Sequence, residues 1–413
     1  MLTRVFRAFE YRDFRLMWVG ACTSSIGTWM QKLAQAWLVF ELSKSPFLLG
    51  LDAFLAEIPI FLFSLVGGAV ADRRDRRHLL LFSQFVQMSC AFVLAGLVAL
   101  GQVQVWHILA LSFVTGFAQA FGGPAYQALI PSLVRMEDLS NAIALNSIQF
   151  NLARVVGPVL GGLALANLGA AWCFGLNGVS FVAVITTLIM VKVRFVPAKT
   201  SDSLIASMRQ GLSFVRAREG MRPLVVLAFL MTMLGVPVVV FLPVFAADVF
   251  HQGPNTYTLL LSTFGAGSIA GALGVAGLTH RSNQGRAALF LLVALGVTTA
   301  GFALSTVMAI SLAFLFAAGA CLVAVFSLVA TLVQEITSDA MRGRVMSVYN
   351  VAFRGGMPMG SLGTGALVPH TGAPVALAAN GLLLCGLGLF YLFAQRGVAR
   401  LGAAGSVARI GGE

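Results

Sequence analysis

Five ionisable side chains stand inside long apolar stretches of this sequence, and these are the residues best placed to do chemistry. They are Lys32, Asp52, Glu57, Arg154 and Arg354. A charged residue in the middle of a membrane helix costs about 2.5–3.5 kcal/mol on insertion scales, so each is a candidate functional residue. The carboxyl groups could exchange protons, and the cations could attract a ligand. Three cations against two acids leave one positive charge, which favours a substrate bearing a carboxylate or another anionic group.

Glu57 is the first candidate for proton exchange, and Asp52 is the second. Glu57 lies about ten residues from one end of its apolar stretch, roughly 15 Å along a helix and therefore near the middle. A carboxyl group binds or releases a proton more readily when a neighbouring cation leaves or approaches. The alternative is a permanent ion pair with a structural role, and the residues alone leave both interpretations open.

Polar side chains at helical spacing accompany these charges. They are Thr28, Gln31 and Gln35, which lie within one turn of Lys32, and Gln119 and Tyr126, which are seven residues apart. Such stripes in apolar helices are expected to line a water-filled cavity. Hydrogen bonds between helices, each worth about 0.6 kcal/mol, are the alternative.

The elements that must position these residues are membrane helices. Of 413 residues, 58% are apolar and 10% are charged, against about 25% charged in a soluble domain. Continuous apolar runs, rather than alternating ten-residue segments, exclude a transmembrane barrel. We predict an all-α polytopic membrane protein with twelve transmembrane helices, near residues 14–40, 47–71, 79–100, 104–127, 141–166, 171–194, 223–247, 256–279, 287–306, 309–333, 345–368 and 374–395.

The arginine and lysine residues of the loops predict the orientation. Nearly all of them fall in one alternate set of loops, whereas the other set holds only Lys44. Because cationic loops stay on the cytoplasmic side, both termini are predicted to be cytoplasmic, in a multi-pass protein of the bacterial plasma (inner) membrane. The net charge of +12 is explained in this way, so we expect no nucleic-acid partner.

The chain divides into two halves. We predict an N-terminal six-helix bundle (1–194), a cytoplasmic linker with an amphipathic helix (195–222), a C-terminal six-helix bundle (223–396) and a cytoplasmic tail (397–413). The halves carry a weak internal repeat at an offset of about 200 residues, as a duplicated transporter would. It matches Ser147, Arg154 and Pro158 to Ser347, Arg354 and Pro358.

A cluster of glycine, acidic and basic residues follows the second stretch. Its members are Gly68, Asp72, Arg73, Arg76 and Arg77, with Asp75 between them. Gly68 permits close helix approach, and Asp72 can accept hydrogen bonds from Arg76 or from a helix N-terminus. The cluster resembles the cytoplasmic gating signature G-x-L-A-D-[RK]-x-G-[RK]-[RK] of the major facilitator superfamily, with Asp75 in place of the usual glycine. An ordinary basic loop with one local ion pair is the alternative.

A second motif lies in the fifth stretch and contains Gly157, Pro158, Gly161 and Gly162. It resembles the exporter signature G-x-x-x-G-P-x-x-G-G of the same superfamily, with Ala153 at the first glycine position. Small residues at this spacing form a strip for close helix contact, and Pro158 removes a backbone hydrogen bond, which predicts a bend. Close packing and a functional bend are compatible.

The whole chain is similar to the enterobactin-exporter branch of that superfamily, which includes transmembrane secretion effectors. The resemblance implies two pseudo-symmetric six-helix bundles, a central cavity and alternating access. In that fold the second and eleventh helices face each other, so Glu57 could pair with Arg354, and Asp52 with Lys32. The arginine signature of many proton-coupled drug antiporters in the fourth helix has no match between Leu109 and Tyr126.

Three functions remain open from the sequence. The first is proton-coupled efflux, by antiport, of a small amphipathic molecule such as a siderophore or drug. The second is a lysophospholipid or lipid flippase of the same fold. The third, an intramembrane enzyme, is disfavoured because the chain has neither a His-Glu-x-x-His zinc motif nor a Gly-x-Ser-x-Gly elbow. We expect a monomer without cofactor or metal, whose partners are a small-molecule substrate, protons and the lipid bilayer.

Overall fold

The computed structural model describes residues 6–191, 204–218, 220–276, 283–338, 341–395 and 397–401. All regular secondary structure in these residues is helical. The longer helices, numbered in chain order, are α1 (Arg12–Ser43), α2 (Pro46–Arg73), α3 (Arg76–Ala99), α4 (Val105–Leu129), α5 (Leu139–Leu168), α6 (Ala170–Met190), α7 (Leu204–Ala217), α8 (Met221–Gly235), α9 (Pro254–Ala276), α10 (Gln284–Leu304), α11 (Met308–Glu335), α12 (Arg342–Thr371) and α13 (Ala373–Leu389). Short helical turns carry α8 on to Val249.

Ten helical segments of the described residues are long and apolar enough to cross a membrane. The two other predicted spans correspond to α1 and α12, with 32 and 30 residues. At 1.5 Å per residue both exceed the roughly 30 Å of a bilayer core, but their polar residues lower their hydropathy. The prediction of an all-helical polytopic membrane protein is confirmed, and the count of twelve includes these two polar helices.

The first compact unit comprises Met1–Lys44 and Leu55–Ser201. Within it, α1 packs against α5 and α6, while α3 packs against α4 and α6. Its core includes Phe14, Leu145 and Leu188, all buried. The Trp18 indole N–H donates to the Leu145 carbonyl oxygen at 2.9 Å, which fixes α1 on α5 near the start of both helices.

The second compact unit comprises Ser45–Phe54 and Asp202–Glu413. It repeats the packing pairs of the first unit: α8 packs against α12 and α13, and α10 packs against α11 and α13. Unit 2 also includes the first turns of α2, where a Cβ built on Gly50 would lie 3.2 Å from the Gly365 Cα. Each unit thus contains one copy of the same packing scheme, in keeping with the internal repeat.

The helix predicted within the linker is present as α7. One side of α7 packs against α12, where a Cβ built on Gly211 would lie 2.6 Å from the Arg344 carbonyl oxygen. The opposite side exposes Arg209 and Arg216. The remaining part of the predicted linker at 195–203, and the tail residues 402–413, lie outside the described residues.

Candidate functional site

A chain of hydrogen bonds crosses unit 1 from α6 through α1 to α4. The Asn177 amide donates to Gln31 Oε1 at 2.6 Å, Gln31 Nε2 donates to Gln35 Oε1 at 3.5 Å, and Gln35 Nε2 donates to Ser112 Oγ at 2.8 Å. Asn177 and Ser112 are buried among apolar side chains, so these contacts supply the hydrogen-bond partners that their polar atoms need. The polar stripe of α1 therefore binds its neighbouring helices through at least two of its residues.

Trp29 brings two of the predicted intramembrane cations together. Lys32 Nζ lies 5.2 Å from the centre of the Trp29 ring system, and the Arg154 guanidinium lies 5.7 Å from it. The Phe150 ring stands edge-on to the same indole, with centroids 6.4 Å apart. Each cation–aromatic contact contributes about 0.5–2 kcal/mol, more as water is excluded. The sequence interpretation paired Lys32 with Asp52, gave Arg154 no partner and missed Trp29, although Trp29 and Lys32 are three residues apart on one helix.

Glycines of α5 hold Trp29 in place. A Cβ built on Gly157 would lie 2.5 Å from the Trp29 Cβ, and one on Gly161 would lie 3.0 Å from the Met30 Cα. Ala153, four residues before Gly157, is fully buried, and so is Gly162. The small-residue strip thus lies directly against α1. The helix runs without interruption from Leu139 to Leu168 across Pro158, and the functional bend at Pro158 stays a prediction.

The other predicted cavity residues also make hydrogen bonds in unit 1. The Thr28 hydroxyl donates to a backbone oxygen of its own helix at 2.9 Å. Gln119 Oε1 accepts from Gln87 Nε2 at 3.3 Å, and the Tyr126 hydroxyl donates to Asn146 Oδ1 at 2.6 Å. These two bonds join α4 to α3 and to α5. Whether Gln119 and Tyr126 line a cavity stays a prediction.

The remaining intramembrane charges are divided between the units. Glu57 lies in unit 1 on α2, and one of its carboxylate oxygens is fully buried. Asp52 and Arg354 belong to unit 2, where Asp52 is buried and Arg354 is exposed. The pairs Glu57–Arg354 and Asp52–Lys32 each join residues of different units, and they stay predictions.

The arginines of the α2–α3 connection bind the ends of neighbouring helices. Arg76 Nη1 donates to the Ala128 carbonyl oxygen at 3.0 Å, at the end of α4. Arg77 donates through Nε and Nη2 to the Leu188 and Ile189 oxygens at 2.6 and 2.7 Å, at the end of α6. Cations are favoured there because the last carbonyl groups of a helix carry partial negative charge.

Asp72 and Arg73 of this connection lie nearer the solvent. The Asp72 carboxylate lies 3.9 Å from Arg76 Nη2, so the expected local ion pair is present at long range. Arg73 is exposed. The connection is therefore held in unit 1 mainly by bonds from arginine to main-chain oxygens.

Asp75, the residue that departs from the signature, caps the start of α3. Its φ angle is −59°, and Oδ1 accepts hydrogen bonds from the Arg77 and His78 N–H groups at 2.9 and 3.4 Å. Oδ2 lies 2.9 Å from His78 Nδ1. Burial acts to raise the pKa of Asp75, but these hydrogen bonds together outweigh it, and the pKa is lowered. An aspartate just before a helix is a recognised N-cap, so this role could have been found in the sequence.

Removing this cap should destabilise the end of unit 1 that carries the α2–α3 connection. We expect Asp75→Ala to lower the free energy of unfolding by about 1 kcal/mol, whereas Asp75→Asn, which can still cap, should lose less. Because the carboxyl pKa is lowered in the folded state, its contribution is present above the unfolded value of about 4 and is lost as the pH falls below it. Thermal unfolding of the purified protein at pH 7 and pH 3 tests both statements. Equal destabilisation by the alanine and asparagine variants at pH 7 would contradict the capping role.

The close helix approach expected at Gly68 is found one residue earlier. A Cβ built on Gly67 would lie 3.0 Å from the Ala120 carbonyl carbon and 3.1 Å from the Phe121 Cα of α4. In the described part of unit 1, no heavy atom comes within 4 Å of a Cβ on Gly68. One residue rotates the side-chain position by about 100° around a helix, which is enough to exchange a packed face for an open one.

Substitutions at Gly67 and Gly68 distinguish a role in helix packing from a role in gating. We expect Gly67→Ala to lower the free energy of unfolding by about 1–3 kcal/mol, because backbone atoms of α4 occupy the space. Gly68→Ala should leave the unfolding temperature unchanged. A drop in transport rate in Gly68→Ala without loss of stability would support a gating role for the signature. Equal unfolding temperatures for Gly67→Ala and the wild type would contradict the packing assigned to Gly67.

The N-terminal segment is fixed to the start of α5. The Tyr11 hydroxyl donates to Asp138 Oδ2 at 2.7 Å, and the Ala8 N–H donates to Asn141 Oδ1 at 2.9 Å. The hydrogen bond to Asp138 is the main reason why the pKa of Tyr11 is raised. The partners of Asp138 and Asn141 come from a segment about 130 residues away, which the sequence pattern alone does not identify.

Comparison with known proteins places these features in a family. Residues 3–403 match the model of a family described as transmembrane secretion effector. The chain belongs to the transmembrane secretion effector family. Transmembrane secretion effectors are transporters of the major facilitator superfamily, so this chain is a multi-pass membrane transporter and not an enzyme. The resemblance found in the sequence is thereby confirmed.

Two relatives extend over nearly the whole chain. The enterobactin exporter of Citrobacter koseri (strain ATCC BAA-895 / CDC 4225-83 / SGSC4696) is 26% identical over 389 residues, and that of Shigella boydii serotype 4 (strain Sb227) is 27% identical over 394 residues. Each alignment covers 92% of this chain and 92% of the relative. This secretion effector is therefore similar to exporters along its full length.

Solved structures confirm the fold of this transmembrane secretion effector. A bacterial homologue of the human lysosomal transporter Spinster, in an inward-facing and unoccupied conformation, has a TM-score of 0.75 at 13% identity. The match covers 96% of this chain and 98% of that structure. A D-xylose–proton symporter has a TM-score of 0.72 at 14% identity, covering 92% and 97%. The major facilitator fold is thus shared with both of these transporters.

Proposed function

We propose that this chain exports a small amphipathic molecule, siderophore or drug-like, from the bacterial cytoplasm across the inner membrane in exchange for protons. The observation that carries the proposal is the polar and cationic surface of unit 1, built on α1, in a transporter similar to enterobactin exporters over 92% of its length. A fixed polar surface at membrane depth suits reversible binding of an amphipathic solute.

Proton exchange is assigned to Glu57. In an antiport cycle the carboxyl group holds a proton in one state and a nearby cation displaces that proton in the other. The fully buried oxygen of Glu57 supports this role, because burial makes the energy of the ionised group depend strongly on its neighbours. We expect Arg354 to be the cation that approaches and leaves, and Asp52 to be the second site.

Alternating access is the transport cycle that we propose. Four helix pairs of unit 1 recur in unit 2, and in each unit a glycine-rich helix lies against the first helix of the bundle. Duplicated units of this kind suit a cycle in which one bundle rocks against the other. The α2–α3 connection would control the cytoplasmic opening, both termini would lie in the cytoplasm, and the protein would act as a monomer.

Proton movement in sealed, everted membrane vesicles tests the proposal. Respiration acidifies the vesicle interior, a pH-sensitive dye reports it, and catecholate siderophores, lipophilic cations or lysophospholipids are added outside. Export by antiport predicts that one class enters the vesicles and releases protons from them, and that vesicles without the protein show neither. Uptake of a class without proton movement would overturn the coupling, and uptake of lysophospholipids alone would favour the flippase. Uptake of none of the three classes would overturn the exporter.

A further inference from the structure

Two cations share one aromatic ring at membrane depth in unit 1. Lys32 and Arg154 come from different helices, and their charged groups lie 5.2 and 5.7 Å from the centre of the Trp29 ring system. The position of Trp29 is set by backbone packing, because a Cβ on Gly157 would also lie 2.8 Å from the Ile26 carbonyl oxygen. The two charged groups therefore lie near a ring whose backbone is packed closely against α5.

The electrostatics of this cluster favour an anion. Two positive charges held near one ring repel each other, and the repulsion is larger where water is excluded. The electron-rich face of the indole offsets part of it. An anionic group beside either cation would offset part of this repulsion and gain an attractive interaction. The cluster is thus arranged to attract negative charge more strongly than either cation alone.

The surroundings of the cluster favour an aromatic ligand. Lys32 is exposed, and a lysine at membrane depth faces the protein interior or a water-filled space rather than lipid. Phe150 stands edge-on to the same indole and is 53% exposed. A flat ring that carries an anionic group could therefore contact Phe150 while its charge meets a cation of the cluster.

We propose that Trp29, Lys32 and Arg154 form a subsite for a planar aromatic anion, in which Trp29 positions the two cations. This inference rests on the proposed function, since it assigns a substrate class to the same polar surface of unit 1. Trp29 is a positioning residue, and its contribution is selectivity by charge.

Three probes of one shape test the subsite: 2-naphthoate, the neutral 2-naphthamide and the cation 2-naphthylmethylammonium. Their binding to the purified protein in nanodiscs would be measured by equilibrium dialysis at pH 7. We expect 2-naphthoate to bind at least about tenfold more tightly than 2-naphthamide, because it gains about one charge-assisted contact. The cationic probe, 2-naphthylmethylammonium, should bind least tightly. Equal affinities of the three probes for the wild type would overturn the subsite.

Four variants assign the selectivity to named residues. Lys32→Gln and Arg154→Gln should each reduce the preference for 2-naphthoate over the amide. Trp29→Leu should abolish the preference while keeping a Cβ against Gly157, and Trp29→Phe, which retains a ring, should restore part of it. Trp37→Leu, which removes another tryptophan from α1, is the control and should bind like the wild type. An unchanged preference in both Lys32→Gln and Trp29→Leu would overturn the proposal.

The binding assay tests the subsite, and the vesicle assay tests the exporter, so either hypothesis can be overturned without the other. Uptake into vesicles with no preference for the anionic probe would overturn the subsite and leave the exporter in place. A preference for the anionic probe in a protein that moves no substrate would overturn the exporter and leave the subsite.

Discussion

Glu57→Gln should abolish substrate-driven proton movement while substrate binding persists. Glutamine has nearly the same size and can accept a hydrogen bond at the same place, but it cannot ionise. One oxygen of Glu57 is fully buried, and glutamine fills the same space. Thermal unfolding of the variant beside the wild type separates a loss of coupling from a loss of stability.

The pH dependence of transport separates the two roles left open for Glu57. If one carboxyl group gates each cycle, the wild-type rate should change by up to about tenfold per pH unit over the range in which that group titrates. The rate of Glu57→Gln should be flat across the same range. Glu41→Gln, which removes an exposed carboxyl group of α1, is the matched control and should behave like the wild type. If the Glu57→Gln variant transports substrate with the same pH dependence as the wild type, Glu57 has only a structural role.

Gly157→Leu should strongly impair the folding of unit 1. A Cβ at this position would lie 2.5 Å from the Trp29 Cβ and 2.8 Å from the Ile26 oxygen, and both neighbours belong to α1 near its backbone. Neither can rotate away, so α1 and α5 would have to separate. We expect a loss of about 3 kcal/mol or more in the free energy of unfolding, the upper part of the range for overpacking.

Size-exclusion chromatography and thermal unfolding in detergent measure this effect. Gly175→Leu on α6 is the control, because among the described residues nothing lies within 4 Å of a Cβ built there. The control should elute and unfold like the wild type, whereas Gly157→Leu should aggregate or unfold at a lower temperature. Identical behaviour of the two variants would show that the α1–α5 contact can relax.

The helices could be predicted from the sequence because each must be long and apolar enough to cross a bilayer. The polar stripe of α1 was predicted for a related reason, since Thr28, Gln31 and Gln35 interrupt an apolar stretch at helical spacing. Their partners could not be predicted, because Asn177 and Ser112 come from helices whose rotation is set by tertiary packing. The same limit explains why the packed glycine is Gly67 and not Gly68.

The candidate site was only partly visible in the sequence. The intramembrane charges stood out because charge is rare in apolar stretches, and that rarity directed attention to carboxylates as their partners. Trp29 looked like an ordinary apolar residue of its stretch. Its electrostatic role exists only once α5 brings Arg154 to the same ring.

The hydrogen bonds of the α2–α3 connection divide its four arginines into two kinds that tolerate different replacements. Arg77 spans two carbonyl oxygens with two nitrogens of one planar group, and a lysine at this position would offer one nitrogen in place of that fork. Arg73 and Arg74 are exposed, so a lysine there would preserve the positive charge on which the predicted cytoplasmic location of the loop depends. We therefore expect lysine to replace Arg73 and Arg74 without loss of function. No other residue should replace Arg77.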